Sequence, residues 1–168
     1  MNKSIDKMEL HKIVRGVSRR SDIAYEYPDG NVEYDDIEDP LPFDIEAPVI
    51  KIEDGDYALW YRDLLEETDK YNGKTVKFRG ICAYDSRMSD NTFVAGRHIM
   101  TCCIDDVEYS PIVCICKNKH SIKSRDWVMV TGTIKVEYCK FYQGKGPVIH
   151  IEETAMTSAP AQELATFY

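Results

Sequence analysis

From residue 74 to residue 155 apolar side chains fall at alternate positions, a period that suits a strand with one buried face and not a helix. In KTVKFRGICAY, residues 74–84, Val76, Phe78 and Cys82 point one way and Lys77 and Arg79 the other, with Gly80 allowing a bend or bulge. NTFVAGRHIM (91–100) and SPIVCICK (110–117) read as a second and a third strand, and NKHSIKSRD (118–126) as a turn or short helix. DWVMVTGTIKVEY (126–138) predicts a long strand with Val128, Val130, Ile134 and Val136 inward and Gly132 at a bend. YQGKG (142–146) is a glycine-bearing turn, and PVIHIEETA (147–155) is the last strand.

Five strands with mid-strand glycines and a long hairpin predict a mainly β fold. The expected form is a small five-stranded antiparallel barrel of the oligonucleotide/oligosaccharide-binding (OB) type, closed so that no long edge is left. A β-sandwich is the alternative. Ahead of the strands, PVIKI (48–52) reads as a short strand, and residues 57–71 as one N-terminal helix. Asp56 is its expected N-cap, and Asn72-Gly73 its stop. Tyr57, Trp60, Tyr61, Leu64, Leu65 and Thr68 share one face, an aromatic stripe that reads as core. The expected organisation is an N-terminal segment and acidic, Pro-containing linker over 1–48, an OB-like barrel domain over 49–157 and a tail over 158–168.

Charge sets the linker apart. Residues 21–69 carry seventeen acidic and two basic side chains, against six basic and two acidic in 1–20 and thirteen basic and ten acidic in 70–168. Residues 21–48, with Pro28, Pro40, Pro42 and Pro48, can bury little and read as extended or disordered; the first twenty suggest a short helix with Met8, Ile13 and Val17 on one side. The mildly basic remainder lacks the clustered basic face of a nucleic-acid binder. No apolar run approaches the roughly 18–20 residues that span a bilayer, and no secretory signal is visible. The chain as given is expected to be soluble.

One stretch carries chemistry. GRHIMTCCIDD, residues 96–106, gathers Arg97, His98, Cys102, Cys103, Asp105 and Asp106. Zinc takes about four nitrogen, sulfur or oxygen ligands in a tetrahedron, so Cys102, Cys103, His98 and Asp106 are metal-ligand candidates, with His120 or His150 as further donors. Other readings stay open: a reactive thiol helped by Arg97, a disulfide between neighbours, or small buried hydrophobes. Cys82, Cys114, Cys116 and Cys139 sit on apolar strands and read as packing. No CxxC pair, nucleophile elbow, phosphate loop or HExxH occurs, so an enzyme is not expected. Tyr84, Trp127, Tyr138 and Tyr142 are outward aromatics on which single-stranded nucleic acid or another extended ligand could stack, the alternative function. With few basic residues among them, nucleic acid is not the expected partner.

RHIMTCCIDD resembles the RFxMTCCxAD signature of the soluble C-terminal domain of the YcgQ-type subunits of a two-component membrane permease. KYNGKTVKFRGI is similar to that family's xYxGKxVxxxGF, DWVMVTGTI to its xWVxVxGT strand, and PVIHIEE to its closing strand, so the resemblance spans residues 49–168. The motif falls on Arg97, Met100, Thr101, Cys102, Cys103 and Asp106; His98 and Asp105 depart from it. Family members begin with transmembrane helices, often with a His-rich loop, and this sequence shows neither. The resemblance implies an accessory soluble domain of a transport system, a permease subunit as partner, membrane association, and metal handling, with zinc the ion these residue types suit.

Overall fold

The structure, a computed structural model, describes residues 41–167. The helix expected within 1–20 and residues 21–40 of the acidic segment lie outside the described residues. The chain enters through β1 (Ile50–Lys51), a 3-10 turn (Asp54–Asp56), α1 (Tyr57–Glu66) and a second 3-10 turn (Thr68–Tyr71). It continues through β2 (Thr75–Ala83), β3 (Thr92–Ile99), β4 (Glu108–Ile115), β5 (Trp127–Cys139) and β6 (Gly144–Met156), and closes with β7 (Leu164–Ala165).

The sheet runs β1-β2-β5-β6-β4-β3-β7, and β2 also pairs with β3, so five strands form a closed ring. This is the expected mainly β, OB-like arrangement with one helix. Closure works because β2 changes partner along its length, pairing with β5 over residues 75–81 and with β3 over 81–83. At that corner Gly80 and Gly96 touch: a Cβ on Gly80 would lie 3.0 Å from the Gly96 nitrogen. A bulge at Thr131/Gly132 adds curvature, Thr131 facing Glu153 while Gly132 faces Ile151.

One junction departs from the antiparallel expectation. β4 and β6 run parallel, over Val113–Ile115 and Val148–His150 only. The reason is arithmetic: strands in a ring of odd number cannot all alternate in direction. Tyrosines reinforce this short seam. The Tyr142 hydroxyl donates to the Pro147 carbonyl (2.9 Å) and accepts from the Val113 N–H (3.0 Å). From α1, Tyr57 donates to the Ser110 carbonyl at 2.7 Å and Tyr61 to the Pro111 carbonyl at 3.4 Å. Burial, foremost, pushes all three phenols well above their ordinary range, so they remain protonated donors.

The interior is filled by Val76, Phe78, Phe93, Ala95, Ile112, Cys114, Val128, Val130, Ile134 and Ile149, closed by Tyr57, Trp60, Tyr61 and Leu64 of the helix. Val136, expected inward, is only half-buried, because β5 has passed the level where Ile134 pairs with Gly73 and Lys74. A second cluster covers the outside of β3 and β4. Met88 from the β2–β3 loop, and Tyr142 with Phe141 from the β5–β6 turn, pack on Val94, Val113 and Val148. Tyr142 is therefore not an outward aromatic. Tyr84 stands edge-on to His120 (4.9 Å) and Trp127 lies under the Arg97 guanidinium (5.4 Å), while Tyr138 is exposed.

Smaller expectations are corrected by local geometry. Asp56 makes no cap hydrogen bond, because the preceding 3-10 turn already gives it helical φ and ψ and ties its N–H to the Glu53 carbonyl. The α-helix ends at Glu66, not 71, tightening into the 3-10 turn before Gly73 turns the chain at φ +82°. Of the two forms expected for residues 118–126 the chain takes the turn, at Ser124 and Arg125. The closing segment is more than a tail: β7 pairs in parallel with β3, His98 opposite Leu164 and Ile99 opposite Ala165.

Tyr142→Phe tests the seam. It leaves the Val113 N–H and the Pro147 carbonyl without their buried partner, so it should cost about 1–3 kcal/mol in urea unfolding. An unchanged midpoint and slope would show that the seam holds without the hydroxyl.

Candidate metal-binding site

β3 ends at Ile99, and the Met100 N–H bonds the Ala165 carbonyl at 2.9 Å before the chain turns. Thr101, Cys102 and Cys103 then present three successive backbone amides to one carboxylate. Asp106 Oδ1 accepts from Thr101 N–H (2.8 Å), and Oδ2 from Cys102 N–H (2.7 Å) and Cys103 N–H (3.1 Å). Cys103 caps the 3-10 turn Ile104–Asp106 from an extended conformation, and its side chain and that of Asp106 bond each other's backbone. Desolvation works to raise the Asp106 pKa, but the amide hydrogen bonds outweigh it and hold the carboxyl below its usual range. Its charge shapes the loop.

That shape puts both thiols outside. Cys102 and Cys103 are exposed, and their sulfurs and an Asp106 oxygen all lie within 4.8 Å of one another. Zinc–thiolate bonds of about 2.3 Å in a tetrahedron set sulfurs about 3.8 Å apart, so the spacing fits one ion. The donor set, two sulfurs and a carboxylate, suits zinc or another soft divalent metal.

The model of the DUF1980 C-terminal domain family matches residues 33–165. The chain belongs to this family. No curated protein matches it. Among solved structures it is similar to a chain of a replication protein A heterotrimer bound to single-stranded DNA, at 16% identity and TM-score 0.33, covering 51% of this chain and 58% of that one. It is also similar to aspartyl tRNA synthetase from Entamoeba histolytica, at 14% identity and TM-score 0.33, covering 51% of this chain and 19% of that one.

In this DUF1980 domain the candidate residues separate. Cys102, Cys103 and Asp106 come together; His98 is not in their group, and its ring tilts against Tyr109 at 5.1 Å. Met100 and Thr101 contribute backbone amides. Arg97, a candidate for activating the thiols, is spent elsewhere. Only 1% exposed, it bonds Asp54 at 3.0 Å, the Gln162 carbonyl at 2.7 Å and the Glu163 carbonyl at 3.1 and 3.3 Å. Burial chiefly lowers its pKa, and Asp54 partly restores it.

His120 is saturated between its loop and β3: Nδ1 accepts from Ile122 N–H at 3.2 Å, which leaves Nε2–H to donate to the Thr92 carbonyl at 3.1 Å. His150 pairs with Glu137 at 2.7 Å. The remaining cysteines are packing thiols. Burial pushes Cys82 up to about 12, Cys114 well above its ordinary range, and Cys116 and Cys139 upward. Ile104, the residue after Cys103, is 70% exposed, which its apolar side chain alone does not announce.

Two variants test these assignments. Asp106→Asn puts an amide NH2 among N–H donors, so amide exchange at Thr101, Cys102 and Cys103 should accelerate while the ring strands keep their protection. Equal protection in both proteins would remove Asp106 as the organiser. Arg97→Lys replaces a fork by a single ammonium that cannot serve all of these acceptors, and should destabilise the fold by roughly 2–4 kcal/mol in denaturant unfolding.

Proposed function

We propose that this DUF1980 domain is a non-enzymatic accessory module that binds zinc through Cys102, Cys103 and Asp106 in the service of a membrane permease subunit. One observation carries the reading: two exposed thiols and a carboxylate, all within 4.8 Å, on a loop whose backbone that same carboxylate organises. The permease context rests on the resemblance of RHIMTCCIDD and its flanking strands to the YcgQ-type subunits. Membrane association in this reading comes through the partner, since no helix among the described residues is long and apolar enough to cross a membrane.

Binding is favoured over catalysis because a thiol nucleophile needs a positioned base, and no histidine among the described residues joins the Cys–Cys–Asp group. Binding of an extended ligand is the weaker reading. OB domains use the face of their second and third strands with the flanking loops, and here Met88, Phe141 and Tyr142 cover that face.

Metal analysis of protein purified without an affinity tag should find about one zinc ion per chain, held by the two thiolates and the shared Asp106 carboxylate. The double variant Cys102→Ser, Cys103→Ser should lose that zinc and keep the circular dichroism and unfolding midpoint of the wild type stripped of zinc, because both side chains are exposed. Zinc-free wild-type protein, or a double variant that unfolds, would defeat the proposal.

A further inference from the structure

We infer that the Cys102–Cys103 loop is a handover site. It holds its ion with an open coordination side and gives it up by ligand exchange to an acceptor bringing thiolate or imidazole donors of its own. The inference rests on the zinc reading above and adds how the ion leaves.

The donor count is the first ground. An ionised carboxylate has roughly four acceptor positions, and three of those on Asp106 are taken by the Thr101, Cys102 and Cys103 amides. Turning Asp106 fully to a metal would strip the loop of the bonds that shape it. The site therefore offers two complete donors and a fraction of a third, whereas a closed structural zinc site has about four. Arg97 cannot compensate or screen here, being committed to Asp54, Gln162 and Glu163.

Accessibility is the second ground. Thr101, Cys102, Cys103, Ile104 and Asp105 are all exposed, with Ile104 at 70%. Nothing in the described fold folds back over the sulfurs to complete the shell, since no further His, Cys, Asp or Glu among the described residues joins the group. The open side is also preformed: the loop is held from below by the β3–β7 pairing and from within by Asp106.

Charge selects the acceptor. A second copy of this chain would bring its own Asp105 and Asp106 against the same two carboxylates, and like charges held at short range oppose that pairing. An acceptor without such an acidic tip meets no such barrier. In the exchange an acceptor–metal bond forms as each metal–sulfur bond breaks, and the partial Asp106–metal bond gives way to a third acceptor or water ligand, returning that carboxylate wholly to the loop amides. The ion stays divalent and no electron moves, so the step is a ligand exchange throughout.

The test is stopped-flow transfer of zinc from the loaded full chain to the chromophoric chelator 4-(2-pyridylazo)resorcinol, with light scattering on the loaded protein. The rate should rise in proportion to chelator concentration, doubling when the chelator is doubled, from a loaded protein that is monomeric. A rate independent of chelator reports spontaneous loss from a closed site and overturns the handover while leaving zinc binding intact. A zinc-dependent dimer likewise overturns it, since a second copy would then complete the shell. A chain that retains no zinc fails at the underlying reading instead, before any transfer is measured.

Discussion

A ring of five strands must contain a parallel junction, and the architecture of this domain is organised around making that junction hold. The β4–β6 pairing spans only Val113–Ile115 and Val148–His150, too little ladder to close the ring alone. Tyr142 bridges both strands at the seam, and Tyr57 and Tyr61 occupy the β4 carbonyls next to it. Each such bond nets about 0.5–1.5 kcal/mol when made and costs more when its partner is left buried and unpaired. The helix and the β5–β6 turn are thus parts of the wall. They are not decorations on it.

That solution has a functional side effect. Tyr142 reaches the seam only by lying across the outer face of β3 and β4 with Phe141 and Met88, so the surface on which OB domains usually hold extended ligands is filled by the protein's own side chains. At the rim, two charges of the RHIMTCCIDD stretch do structural work, Arg97 on the closing segment and Asp106 on the loop amides, while His98, Asp105 and the two thiols remain exposed.

Periodic features were legible in the sequence because each residue's burial follows from its own position in a repeat. Val76 and Phe78, Val128 and Val130, and the Tyr57–Leu64 stripe are buried as their spacing requires. The placements of Tyr142 and Arg97 are not legible in the sequence because their partners are far away in the chain, at Val113 and at Gln162–Glu163, and no local pattern announces such a pairing. His98 was grouped with Cys102 on proximity in sequence, yet one sits in a strand and the other past its end. Asp106 is an intermediate case: a side-chain acceptor three residues after Cys103 has the spacing of a capping box, a signal present in the sequence.

Arg97 joins stretches that enter and leave the folded unit, Asp54 ahead of the helix and Gln162–Glu163 beyond the ring. Because Arg97 belongs to β3, one guanidinium ties the segment ahead of the helix and the segment beyond the ring to the same strand. Losing that one side chain would therefore loosen both stretches from β3 together.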